Sequence, residues 1–145
     1  MPREAPVPQE PHDERTAEQT HQPIRARMIH AFITYMDFLG GLTTAARIPG
    51  FRPPQLLEGS VVNQRPDYVG RWDHDGAVVI AEAVVRFDTL DEERKNRFTL
   101  LASAAAIYNT QVVYLVRDHA TAARLRAALD VGIIHFTTIR IMEIL

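Results

Sequence analysis

Two acidic residues stand in runs that are otherwise built for a β-sheet. Asp67 lies in Arg65-Pro66-Asp67-Tyr68-Val69-Gly70-Arg71-Trp72. Glu82 lies in Ala77-Val78-Val79-Ile80-Ala81-Glu82-Ala83-Val84-Val85-Arg86, and a polar turn, Asp73-His74-Asp75-Gly76, joins the two runs. An Asp-Gly turn between β-rich runs is a strong hairpin signal. A carboxylate among β-branched neighbours is costly to bury unless something pairs with it. If the hairpin is regular into its turn, Trp72 opposes Ala77. The same register then sets Asp67 opposite Glu82, with Cβ atoms about 5 Å apart on one face. Two like charges that close need a cation between them or a shared proton.

A hard divalent ion suits such a pair. Mg²⁺, or Mn²⁺ in its place, takes carboxylate oxygens and keeps several waters, so one or two protein ligands suffice. It lowers the pKa of a bound water and stabilises charge developing on a phosphoryl group. A basic side chain nearby would hold the phosphate. The chain has fifteen Arg and a single Lys, Lys95, which makes the position of Lys95 worth following.

At these residues the chain resembles the PD-(D/E)xK nuclease-like superfamily. The resemblance rests on Pro66-Asp67 followed by a strand bearing Glu82, and on element order over roughly residues 24–117. It implies a restriction-endonuclease-like α-β-β-β-α-β core, with Asp67 and Glu82 as metal ligands and DNA as substrate. The family's Lys belongs two residues after the Glu, where this chain has Val84. In some branches that Lys comes from the following helix. The Lys95-Asn96-Arg97-Phe98 run is similar to the Lys-x-x-aromatic pattern of replication-relaxation-type proteins. Arg86, on the Glu82 face, is a second substitute. The resemblance therefore implies Asp67, Glu82, Lys95 and Arg86 as site residues and metal-dependent phosphodiester hydrolysis if activity is retained. A catalytically inactive descendant that binds nucleic acid or protein is the alternative. An origin in a mobile element or DNA-processing system fits either.

Other polar residues read more plainly. Asp73-His74-Asp75 is a solvated turn rather than a metal cluster, and His135 is a core or rim histidine in an apolar strand. Glu58 reads as a strand-edge glutamate, and Arg117, Arg124 and Arg126 as a solvated helix face. Ser103 sits in an Ala-rich helix with no partnered His, so nucleophilic catalysis has no support.

The elements that must position the acids follow from periodicity. Residues 1–22 are rich in Pro, Glu, Gln and Thr with almost no large apolar side chain, and read as a disordered tail that a protein partner would recognise. Residues 23–145 read as a single domain. Met28, Ile29, Phe32, Ile33, Met36 and Leu39 recur at helical spacing from Ile24 and stop at Gly40-Gly41. Thr43 to Arg47 adds a short turn of helix. Gln55 to Asn63 reads as a first strand, and residues 65–72 and 77–86 as the hairpin. Asp88 caps a helix starting near Leu90. Gln111 to Arg117 is a buried strand, Asp118 caps a helix over His119 to Leu129, and Ile133 to Thr138 is a last strand. The fold class expected is α/β, a mixed central sheet flanked by helices, with a C-terminal α-β extension.

Composition limits the partners. The formal net charge is −2, but the first twenty residues carry five acids against two Arg, so the remainder is near neutral and permits DNA without favouring it. Absence of cysteine excludes disulfides and thiolate chemistry. No apolar run is long enough to span a bilayer, so no membrane is expected and the cytoplasm is the expected compartment. A homodimer is compatible with the sequence.

Overall fold

In the computed structural model, the described residues are 13–55, 65–87, 92–131 and 139–144. They form α1 (Asp13–Phe38), β1 (Gly41–Ala46), β2 (Tyr68–Trp72), β3 (Val78–Ala83), α2 (Glu92–Ala105), β4 (Thr110–Val116), α3 (His119–Val131) and β5 (Ile139–Glu143). One five-stranded sheet has the order β1-β2-β3-β4-β5. Its first three strands pair antiparallel and its last two join in parallel, so the sheet is mixed, as expected.

The hairpin register agrees with the sequence reading. Tyr68 opposes Ala81 and Arg71 opposes Val78, while Trp72 N–H donates to the Ala77 carbonyl at 3.0 Å. Gly76, at φ +72°, takes the left-handed conformation that closes the turn without a Cβ penalty. Alternation then sorts β3. Val79, Ala81 and Ala83 join Met28, Ile29, Phe32 and Met36 of α1 in one core. Val84, just beyond β3, joins Phe98 and Leu101 of α2, Leu125 of α3 and Val112 and Tyr114 of β4 in a second core. α1 therefore covers one face of the sheet, and α2 and α3 the other.

Three boundaries differ from expectation. Residues 43–46 are strand rather than helix. Small Gly, Thr and Ala side chains show no period of their own there, and pairing with β2 decides the conformation, with a bulge between Thr43 and Ala45. The helix α1 begins at Asp13, inside the stretch read as a tail, and carries Pro23 within it. The Glu, Arg, Ala and Gln residues there are good helix formers, and low hydropathy argues only against burial. Among the described residues the last strand is Ile139–Glu143, so the apolar C-terminal run is itself an edge strand, with Met142 and Ile144 packed on the α1-side core. The first strand read at Gln55 to Asn63 lies, from residue 56 on, outside the described residues. So do Glu58, Asp88, Leu90 and the strand at Ile133 to Thr138 with His135. Asp118 caps α3 as its sequence implies, its Oδ1 accepting from the Thr121 N–H at 2.7 Å.

Candidate functional site

Both acids are buried, Asp67 to 1% and Glu82 to 8% relative exposure, at the end of the sheet where β2 begins and β3 finishes. They are not a ladder pair. Pairing stops at Tyr68 and Ala81, and Asp67 stands in a bend just before β2. Its N–H donates to the Ala81 carbonyl at 3.2 Å, and its carbonyl accepts from the Arg47 N–H at 2.9 Å. The second bond draws the backbone toward the segment after β1, and the regular register ends there.

The Asp67 side chain is held from three directions. Its Oδ2 accepts from the Ala83 N–H at 2.9 Å and from Arg25 Nη1 at 3.1 Å. The same Arg25 nitrogen also donates to the Ala83 carbonyl at 2.8 Å, so α1 is fastened to the end of β3 through this carboxylate. Arg47 Nη1 lies 3.6 Å from Oδ1, which is buried and has no hydrogen bond.

Glu82 takes its cation from the opposite face. Arg97 of α2 forks onto it, Nε to Oε2 and Nη2 to Oε1 at 2.8 Å. A fork of this kind is a strong charge-assisted pairing, with geometric specificity added to its energy. Arg97 Nη2 also donates to the Arg65 carbonyl, which joins α2 to the chain entering β2.

Charge and burial compete here. Burial pushes the Glu82 pKa up to about 7, the Asp67 charge adds to this, and Arg97 and Arg25 oppose it. Burial by itself would lower the Arg97 pKa, but the Glu82 carboxylate more than offsets that and holds it above its ordinary value. Tyr114 sits beside Glu82 in the parallel β3–β4 pairing, fully buried, with a hydroxyl that has no hydrogen bond. Burial and the neighbouring Glu82 charge raise its pKa well above the usual phenol range.

The structure thus brings Asp67 and Glu82 to one end of the sheet and meets them with Arg25, Arg47 and Arg97. Lys95 is exposed on α2, two residues before Arg97, and does not reach either acid. Arg86 is exposed past the end of β3, where alternation no longer holds, and its carbonyl accepts from Arg94 Nη2 at 2.9 Å. Arg97 stands in the Lys95-Asn96-Arg97-Phe98 run but is not among the site residues that the resemblance implies. Its signal is positional: it lies one turn before Leu100 and next to Phe98, on the side of α2 that meets the sheet. Arg25 and Arg47 carried no local signal. His74 and Asp75 form an exposed pair, and Asp75 Oδ1 accepts from the Ala77 N–H at 2.9 Å, as a turn residue does.

The donor set suits anions better than a dication. Both Glu82 oxygens face Arg97, one Asp67 oxygen is saturated, and the guanidiniums outnumber the carboxylates. Among the described residues no group of three or more His, Cys, Asp or Glu gathers to hold a metal. Among the described residues Asp67 Oδ1 is the one buried carboxylate oxygen without a hydrogen bond, and Arg47 lies 3.6 Å from it. No protein-family model, curated protein or solved structure matches the chain.

Proposed function

We propose that the chain is a nuclease-like α/β module that binds the phosphate backbone of DNA without a metal. Its guanidiniums are the anion site and its buried carboxylates are their anchors. The supporting observation is the convergence of Arg25, Arg47 and Arg97 on two buried acids. Each Arg offers five N–H donors in a fixed fork, and the acids engage only part of that set. Arg47, with its side chain 45% exposed, keeps the most donors toward solvent. Phosphate contacts of this kind position a protein on nucleic acid without reading sequence.

Mg²⁺-dependent phosphodiester hydrolysis is the second reading, and the buried Asp67 Oδ1, which has no hydrogen bond, is what favours it. It requires Arg97 to leave Glu82. Binding of fluorescently labelled DNA, followed by anisotropy at several salt concentrations, tests the first reading. Affinity should fall as salt rises, and Arg47→Ala should lessen the salt slope by about 1. The melting temperature should not move with Mg²⁺ or Mn²⁺, and plasmid should stay intact. A metal-dependent rise in melting temperature that Asp67→Ala abolishes, with nicking that Glu82→Ala abolishes, would establish hydrolysis instead.

A further inference from the structure

A cavity of about 590 Å³ opens on the α2 side of the sheet, beside the charged cluster. Its floor is Val69 and Ile80, and Leu100 and Ala104 of α2 form one wall. The rings of Pro53, Pro54 and Pro66 form another. Two links tie it to the cluster. Ile80 shares a strand face with Glu82, and Leu100 follows Arg97 by one turn of α2. Arg65, whose carbonyl accepts from Arg97, also donates Nη1 to the Pro54 carbonyl at 2.6 Å, so the proline wall is fastened to the same group of charges. Arg52 also lines the cavity, and no acidic side chain does so among the described residues.

We propose that this cavity seats one unstacked base of single-stranded DNA, whose adjoining phosphate lies on Arg52, which lines the cavity, and on Arg97, one turn of α2 away from Leu100. The inference rests on the phosphate-binding reading and adds to it the form of the nucleic acid. The volume falls within the range of small-ligand sites, which is about 300–1,000 Å³. Flat apolar walls accept any base face, proline rings providing C–H surface where other proteins use aromatic rings. The cationic rim selects for an anion attached to that apolar group. A duplex keeps its bases stacked and cannot fill the cavity.

The test compares labelled oligothymidylate with a blunt-ended duplex on the full chain, alongside Ser103→Trp. Ser103 lines the cavity from an exposed position on α2, so an indole there blocks the cavity without entering the core. The single strand should bind about tenfold more tightly than the duplex, the gain from burying one base against an apolar wall. Ser103→Trp should remove that preference and leave duplex affinity unchanged. Thymidine alone should shift the methyl resonances of Val69, Ile80 and Leu100. Equal affinities for the two DNA forms, or single-strand binding untouched by Ser103→Trp, would overturn the cavity assignment and leave phosphate binding standing. If neither DNA form binds, the phosphate reading falls, and unmoved methyls with thymidine then overturn the cavity as well.

Discussion

The two ends of the sheet solve opposite problems. Where β2 begins and β3 ends, two carboxylates are buried and each is met by a guanidinium. Where β2 turns into β3, apolar side chains stand in water, with Tyr108 93% and Phe38 85% exposed. At that second end the chain is held by backbone bonds, Asp73 N–H to the Gly40 carbonyl at 3.0 Å and Val78 N–H to the Asn109 carbonyl at 2.9 Å. The Asn109 side-chain amide adds a bond to the Asp75 carbonyl at 3.2 Å. Among the described residues no side chain there has a distant partner of opposite charge. At the first end Asp67 and Glu82 do, and removing Arg25 or Arg97 strands a carboxylate in a low-dielectric setting. The difference is one of tolerance: the turn end accepts substitution, and the charged end is all or nothing.

The largest effect that separates the ends is expected from Arg97→Ala. Leaving Glu82 buried without its partner should cost about 3–5 kcal/mol in urea unfolding. Replacing both residues by Met should recover much of it, because a well-packed apolar pair avoids the desolvation of both ions. A single substitution costing under about 0.5 kcal/mol, the surface level, would make the charged end no different from the turn end.

The second effect is a dependence on pH. The folded pKa of Glu82 is raised from 4.5 to about 7, so between those values the folded state holds a proton that the unfolded state has released. The resulting stability is present below about pH 4.5 and is lost as pH rises through about 7. Wild type compared with Glu82→Gln should therefore show a relative loss of up to about 3 kcal/mol across this window, seen as a fall in melting temperature. A flat difference between the two proteins would mean that Arg97 keeps Glu82 ionised throughout.

The smallest effect is expected at the other end. Tyr108→Ser should change stability by less than about 0.5 kcal/mol by the same unfolding measurement. A loss of several kcal/mol would show that this end also depends on particular side chains.

Much of this contrast was legible in the sequence, but unequally. The hairpin and its register could be read because a short turn leaves few ways to pair two β-rich runs. Burial of Asp67 and Glu82 followed from their apolar neighbours. Element order followed from periodicity, apart from β1, whose small residues take their conformation from β2, and β5, which forms in the short apolar C-terminal run. The cations could not be read. Fifteen Arg are scattered through the chain, and which of them reach a buried acid depends on how α1 and α2 dock, a tertiary matter with no local pattern. Scarcity drew attention to Lys95, whereas α2 turns Arg97 toward the sheet.

The two ion pairs also differ in how far along the chain they reach. Glu82 and Arg97 are 15 residues apart, and Arg25 and Asp67 are 42 apart. Closing the longer loop costs roughly 1 kcal/mol more in chain entropy. The Glu82–Arg97 pair is thus the more local closure, and the Arg25 clasp spans the longer one. Loosening the clasp should free the turns of α1 before Met28 first, since Met28 to Met36 stay packed in the core.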